Sequence, residues 1–474
     1  MEQARPYYKP LDQSRVGPAL PPLTTSLPLT FLDISLAGPI YARRQFFYHF
    51  PYPTHHFITT TLPSLKHSLS VALQYFFPLA GNLLCPPPPH KPFISCTGDH
   101  SVALTVVESA SDDFNLYSAN SPKNLKGLDS LIPELSWSTA HEDVYDSDPT
   151  FVFPIVALQV TVFPNAGFCI AITYCHVMDA SSCIHFMKTW ASICRSDGGD
   201  MTFLEKSRPS YDREVIKDPR GLEAVFLRDY FMERSTWKDN LLGKTSKIIL
   251  SVDDDLYKAT IVFGREDIEI LRKWVMNQWG QNGESNAPKY LSKFVVTCGF
   301  VWTSYVKTRH RDESEEEEED EYFRFGADCR NRLEYPLQKN YFGNCITRCH
   351  AELKRRELKG EEGFLKAVKV IDEAIQDMKK EPFKDAERWK EDFEKTFVLG
   401  STVLVTGSPK FTVYETDFGF GRPKKVEMVH GFKCMSLAES GSEEGGLEVG
   451  LVFKRDDYEH FMSLVELGLQ TFKS

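Results

Sequence analysis

Apolar positions along the chain follow two different periods. Leu65, Leu69, Leu73 and Phe76 recur at helical spacing and predict a helix over 63–75, with Pro63 suited to its first turn. Similar spacing predicts helices over 265–279, through Ile268, Leu271 and Val275, over 364–379 and over 457–468. A helix over 292–307 would have Ser292 as its cap and Phe294, Val295, Cys298, Val301 and Trp302 turned inward. Strands are expected over 102–107 and 152–162, and the run 168–174 reads as a buried strand rich in β-branched and aromatic residues. After Asp179 the period becomes helical, with Ile184, Met187, Trp190, Ala191 and Cys194 on one face. Asp179, Ser181 or Ser182 could cap that helix. Pro87 to Pro89 mark a turn. Helices and strands mix without strict alternation, and no short-period repeat appears.

Length and polar stretches divide the chain. At 474 residues it exceeds one compact core, so two domains are expected. The polar, irregular stretch that includes Asp197-Gly198-Gly199-Asp200 and Arg208-Pro209 reads as a crossover. The division is therefore 1–200, a linker at 201–220, and 221–474. The run from Asp312 to Glu321 is almost wholly acidic and is expected to be a solvated, self-repelling loop.

Charge and cysteine usage narrow the partners. The net charge is −11 and no basic stripe occurs, which argues against nucleic acid and anionic membranes. No apolar run is long enough for a transmembrane helix, and the first residues lack a secretory core. Eleven cysteines without paired spacing, and no Asn-x-Ser/Thr sequon, point to free thiols and a cytoplasmic location.

One residue stands out chemically. His176 follows the apolar strand at a strand-to-helix turn, where a rigid support can project a side chain into a cleft. It is either a satisfied core residue or a proton-transfer group. Its neighbours match no zinc spacing. No Gly-x-Ser-x-Gly turn surrounds Ser181 or Ser182. Cys175 and His176 are adjacent on a strand, so their side chains diverge and do not form a nucleophile–base pair. Nucleotide-binding glycine fingerprints are absent. General-base action on a bound substrate is the catalytic role left for His176. Two other stretches are unusual. Asp417-Phe418-Gly419-Phe420-Gly421-Arg422-Pro423 specifies a tight turn. Gly326-Ala327-Asp328-Cys329-Arg330-Asn331-Arg332, followed by Tyr341-Phe342-Gly343-Asn344-Cys345, reads as extended chain plus turn.

These three stretches, in this order and spacing, resemble the plant acyl-CoA-dependent acyltransferases of the BAHD family. That family carries His-x-x-x-Asp near mid-chain and Asp-Phe-Gly-Trp-Gly near its end. Further matches are Leu27-Pro28-Leu29-Thr30-Phe31-Leu32-Asp33, Phe77-Pro78-Leu79-Ala80-Gly81-Asn82-Leu83 and Gly446-Leu447-Glu448-Val449-Gly450-Leu451. The Tyr-Phe-Gly-Asn-Cys stretch and Gly407-Ser408-Pro409-Lys410-Phe411 resemble the branch acting on flavonoid and phenolic glycosides, many members of which use malonyl-CoA.

The resemblance implies an α/β fold of two similar-sized, chloramphenicol-acetyltransferase-like domains with mixed sheets. A long crossover loop joins them, and the active-site channel runs between them. It implies His176 as base towards an acceptor hydroxyl, Asp179 and Arg330 as motif support, Thr406 and Ser408 near the reacting carbonyl, and Asp417, Gly419 and Gly421 as a structural motif. It implies acyl-CoA, malonyl-CoA in this branch, as co-substrate. No metal or permanently bound cofactor is implied, and the precedent is monomeric. A malonyl carboxylate would need a cation, for which Lys188 and Arg44 are candidates.

The chain departs from the family pattern in two places. Phe420 stands where Trp is usual. His176 and Asp179 are three apart rather than four. The strand side places Cys175-His176 on the pair that relatives fill with His-His, while counting four back from Asp179 puts Cys175 in the place of the base. The shorter turn changes the direction of the Asp179 side chain and leaves its reach to Arg330 open. Two other readings stay open: the same fold using acetyl-CoA or a hydroxycinnamoyl-CoA, and a repurposed binding protein without acyl transfer.

Overall fold

The computed structural model describes residues 8–473 apart from 21–22, 111–112, 141–147, 197–206, 243–254, 282–287, 312–317 and 336. Part of the expected crossover, 201–206, and part of the acidic run, 312–317, lie outside the described residues.

Two large mixed sheets carry the fold. The first has six strands in the order Tyr8–Val16, Val102–Ser109, Val156–Phe163, Gly167–Cys175, Tyr41–His49 and Lys425–Met428. Every residue of Gly167–Cys175 is buried, as its near-continuous apolar run requires. The helices Leu62–Tyr75 and Ala180–Arg195 pack with this sheet in the first core, and so do Phe226, Tyr230 and Trp237 of the helix Leu222–Leu242. The second sheet has seven strands: Ile346–Lys354, Asp320–Asp328, Ser401–Thr406, Cys434–Glu439, Leu447–Lys454, Leu256–Phe263 and Lys123–Asn124. The helices Arg265–Gln281, Lys293–Arg309 and Gly363–Lys380 cover it. A third, five-stranded sheet flanks the first core. Among the described residues no helix is long and apolar enough to cross a membrane. All eleven cysteines are free.

Local chemistry explains several boundaries. Ser292 caps its helix by accepting the Val295 N–H, and Asp179 caps Ala180–Arg195 by accepting the Ser182 N–H. The expected strand over 152–162 is two strands. Thr150–Pro154 joins the third sheet, Val156–Phe163 joins the first, and the chain changes sheets at Ile155. Proline, which cannot donate a ladder hydrogen bond, ends the first of the pair.

The acidic run corrects the expectation of a solvated loop where it is described. Asp320 opens a strand and pairs with Lys354 at 2.6 Å. Glu321 is 1% exposed and accepts Arg355 Nε at 2.8 Å. Glu318 and Glu319 pair with Arg356 and Arg355. Lys354, Arg355 and Arg356, where the neighbouring strand ends, thus pair with residues 318–321, which self-repulsion within one segment does not anticipate.

The two large sheets exchange strands. Lys123–Asn124, from the first part of the chain, closes the second sheet, while Lys425–Met428, from the last part, closes the first. Their side chains meet: buried Lys123 Nζ lies 3.1 Å from Glu427 Oε1, and Lys258 Nζ lies 3.7 Å from Glu427 Oε2. Burial alone would raise the pKa of Glu427, but Lys123, Lys425 and Lys258 overcome it and hold the value at about 2. The folded value lies below the unfolded one of about 4.3. The ionised form therefore stabilises the fold above roughly pH 4, and that contribution disappears as pH falls towards 2. Thermal melts from about pH 5 downwards should show wild type losing stability more steeply than Glu427→Gln. Parallel curves would show that this cross-link does not contribute to acid sensitivity.

Candidate active site

His176 lies just beyond the Gly167–Cys175 strand, with its N–H donated to Ile40 O at 2.9 Å. The turn places the preceding and following side chains very differently. Cys175 is fully buried, with its thiol against Gly38 O, and burial pushes its pKa well up, so it is a neutral thiol. His176 is only half-buried.

The imidazole is fixed by Asn344. His176 Nδ1 and Asn344 Oδ1 are 3.1 Å apart. The Asn344 amide nitrogen donates to Asp33 Oδ1 at 3.1 Å and to His176 O at 2.8 Å, and both of those atoms only accept. The amide orientation therefore follows from its partners, and the atom facing Nδ1 is an acceptor. Nδ1 must carry the proton, which leaves Nε2 with a lone pair. Burial, aided by Arg348 and opposed by Asp179, holds the His176 pKa below its ordinary range. The ring is thus neutral and proton-accepting at neutral pH.

Asp33 supports this arrangement from far away in sequence. It is fully buried. Oδ1 also accepts the Asn344 N–H at 2.8 Å, while Oδ2 accepts the Thr30 N–H and hydroxyl at 3.0 and 2.8 Å. Asn344 follows Gly343, whose φ is +141°, and a Cβ there would lie 2.3 Å from Arg213 Nη1. Arg213, on the described part of the crossover, donates to Tyr341 OH at 2.7 Å and Phe342 O at 2.5 Å. Asn344 and Asp33 both lie in motifs visible in the sequence, yet their contact spans 311 residues and no local spacing announces it.

Asp179 sits in a pocket of donors. Arg330 Nη1 lies 2.7 Å from Asp179 Oδ2, and the Cys345 N–H reaches the same oxygen at 3.1 Å. Its other oxygen accepts the Ser182 N–H and hydroxyl at 2.9 and 3.0 Å. Burial would raise this carboxyl, but Arg330 and these donors hold it below the usual range. Arg330 Nη2 also donates to Tyr341 O at 3.1 Å. The three-residue spacing therefore leaves Asp179 within reach of Arg330.

Other residues singled out from the sequence lie around this cluster. Phe418 packs edge-on against Trp190 and Tyr48, with centroids at 4.8 and 5.7 Å. Phe420 packs edge-on against Phe168 and Phe50, at 5.2 and 5.7 Å, so Phe fills the place of Trp beneath the strand leading to His176. Asp417 accepts the Gly419 N–H at 2.8 Å, and the φ of +99° at Gly419 and +81° at Gly421 favours glycine at both. Thr406 ends its strand with its hydroxyl 3.3 Å from Met435 O, and Ser408 caps the turn Pro409–Phe411. No hydrogen bond joins either to His176. Lys188 is paired with Glu415 at 2.9 Å and also reaches Thr412. Arg44 is 4% exposed and has no hydrogen-bond or ion-pair partner among the described residues. Among the described residues, no His, Cys, Asp and Glu groups are arranged to hold a metal ion.

A family model described as the transferase family matches residues 11–467. The chain is 35% identical, over 95% of its length and 94% of the relative's, to coumaroyl-CoA:anthocyanidin 3-O-glucoside-6''-O-coumaroyltransferase 2 of Arabidopsis thaliana. It is also 35% identical to malonyl-coenzyme A:anthocyanin 3-O-glucoside-6''-O-malonyltransferase of Dahlia pinnata, covering 97% of each chain. The chain is a BAHD acyltransferase.

Among solved structures, the BAHD acyltransferase resembles vinorine synthase, with a TM-score of 0.67 at 16% identity, over 97% of this chain and 98% of that one. It also resembles F. graminearum TRI101 complexed with ethyl coenzyme A, with a TM-score of 0.64 at 14% identity, over 93% and 97% of the two chains. These likenesses bear out the two-domain α/β fold with mixed sheets.

Proposed function

We propose that the enzyme transfers a malonyl group from malonyl-CoA to a sugar hydroxyl of a phenolic or flavonoid glycoside, with His176 as general base. The observation that carries the mechanism is the Asn344-held tautomer, which leaves Nε2 of a neutral ring as proton acceptor. The acceptor oxygen attacks the thioester carbonyl as its proton passes to Nε2. The tetrahedral intermediate collapses, the proton goes to sulfur, and coenzyme A leaves. Thr406 is the residue we assign to the developing oxyanion. Ser408, small and polar, leaves room beside it. Asp179 and Arg330 hold the turn and do not touch substrate.

Arg44 supports malonyl as the acyl group. It lies opposite Ile172, on the strand face of Tyr174, whose ring centroid is 6.4 Å from that of His176. It lines a cavity of only about 20 Å³ with Met428, Ser436, Leu437 and the carboxylates Glu427 and Glu448, and Thr406 is the strand partner of Ser436. A buried, unpaired guanidinium is suited to a carboxylate. Burial pushes the nearby Glu439 towards its neutral form, which lessens its competition. Lys188, already paired, is the weaker candidate.

Arg44→Gln should raise the KM for malonyl-CoA by about 10-fold or more. Acetyl-CoA, which lacks the carboxylate, should be unaffected. Unchanged malonyl-CoA kinetics, or a wild-type preference for coumaroyl-CoA in a coenzyme A release assay, would sink the donor assignment and leave acyl transfer standing.

A further inference from the structure

The crossover runs along the segment that leads to Asn344. Ser210 donates its N–H to Asn340 O and accepts that of Phe342, each at 2.9 Å, in a short parallel bridge. Asn340 also donates to Arg208 O. Tyr211 packs against Phe342 and Phe77, with ring centroids at 5.3 and 5.0 Å. Arg213 follows on the same strap.

The Arg213 side chain is 8% exposed. Both of its hydrogen bonds leave from Nη1, to Tyr341 OH and Phe342 O, and its cation stands 5.4 Å from the Tyr341 ring centroid. Nε and Nη2 are buried without a hydrogen-bond partner. A guanidinium that meets only neutral acceptors is costly to bury unless an opposite charge compensates it.

Asp33 supplies that charge. Arg213 Nη1 lies 3.9 Å from Asp33 Oδ2, and Arg213 is the one ion-pair partner of Asp33 among the described residues. Burial works against the Arg213 charge, and Asp33, followed by Tyr341, outweighs it. The dependence is mutual. Asp33 is fully buried, and a neutral side chain at 213 would leave its carboxylate without a cation.

Arg213 thus bears on Asn344 from two sides. Its charge faces Asp33, whose Oδ1 accepts both the Asn344 N–H and the Asn344 amide nitrogen. Its hydrogen bond to Phe342 O, and its close approach to Gly343, fix the backbone just before Asn344.

We propose that Arg213 is a positioning residue for acyl transfer: through Asp33 and the 342–343 backbone it sets the Asn344 amide, which keeps the His176 proton on Nδ1 and leaves Nε2 free. This rests on the acyl-transfer reading above and makes the crossover part of the catalytic machinery.

The test follows coenzyme A release from malonyl-CoA with a saturating phenolic glucoside. Arg213→Met should lower kcat by about 10- to 100-fold, the order of loss that a misplacement of about 1 Å brings. KM for donor and acceptor should stay within about 2-fold of wild type. Arg213→Lys, which keeps the charge, should recover part of kcat, whereas the neutral Arg213→Gln should not. Long-range proton–nitrogen spectra of protein carrying isotope-labelled histidine read the tautomer directly, with His176 assigned by the signals missing from His176→Ala. Wild type should hold the proton on Nδ1, and Arg213→Met should share it with Nε2. A general loss of stability does not move that proton. If a melting curve shows Arg213→Met unfolded, Arg213→Gln takes its place with the same expected results. Failure of both to fold would make Arg213 a folding residue and overturn the proposal. So would an unchanged kcat, an unchanged tautomer, a raised KM with kcat intact, or Arg213→Gln as active as Arg213→Lys. If wild type releases no coenzyme A from any donor, acyl transfer fails as a reading. The tautomers of wild type and variants then still decide whether Arg213 sets His176.

Discussion

His176→Ala is expected to lower kcat by ~10²–10⁴-fold, the ordinary contribution of one positioned general base. The loss should appear in kcat with little change in donor KM, because in the proposed mechanism the ring carries the proton from acceptor to sulfur and does not bind the coenzyme. The melting temperature should stay close to that of wild type, since the half-buried side chain makes one hydrogen bond through Nδ1. Asn344→Leu should act in the same direction by releasing the tautomer. It also leaves Asp33 Oδ1 without its amide donor, so it should lower stability as well. Coenzyme A release with a saturating glycoside measures both variants. Full activity in His176→Ala would rule out the general-base assignment. So would a pH profile without an ionisation of its own in wild type.

The second large effect is structural. Arg330→Met should destabilise the fold by about 3–5 kcal/mol, because it strands Asp179 as a buried, unpaired charge. Asp179 is 2% exposed and Arg330 2% exposed, so water cannot replace the lost partner. Asp179→Asn in the Arg330→Met background should recover part of the loss, since it removes the stranded charge and keeps the N-cap oxygen. The sign with pH follows from the depressed carboxyl. Its stabilisation is fully present above about pH 4 and fades as pH falls through the folded value. Denaturant melts of the single and double variants at neutral pH measure the effect. Equal stability of Arg330→Met and wild type would mean that the pair does not hold the turn.

Much of this was legible in the sequence because it is local. The strand ending at Cys175, the cap at Asp179 and the amphipathic helices all depend on neighbours within a few residues. Strands that carry polar residues were not legible. Tyr8–Val16 is a half-exposed edge strand, with no clean alternation to read. Tyr41–His49 contains Arg43, Arg44 and Gln45 in a central strand. Gln45 Nε2 and Arg43 find their partners in Leu128 O and Asp129, more than 80 residues away. The same limit applied to the site. His176, Asp179 and Arg330 could be named from their motifs. The Asn344–Asp33 bridge that fixes the His176 tautomer is purely tertiary, and so is the placing of Arg213 beside Asp33.

The reciprocal strand exchange has a consequence for recombination between relatives. A chimaera spliced only at the crossover would combine a first half from one parent with a Lys425–Met428 strand from another. That strand hydrogen-bonds the edge of Tyr41–His49, next to the strand leading to His176, and brings Glu427 to a foreign Lys123. The unit of inheritance for the catalytic sheet is therefore discontinuous in the gene. Acceptor and donor specificities should travel between homologues only when residues 425–428 move with the first half and residues 123–124 with the second.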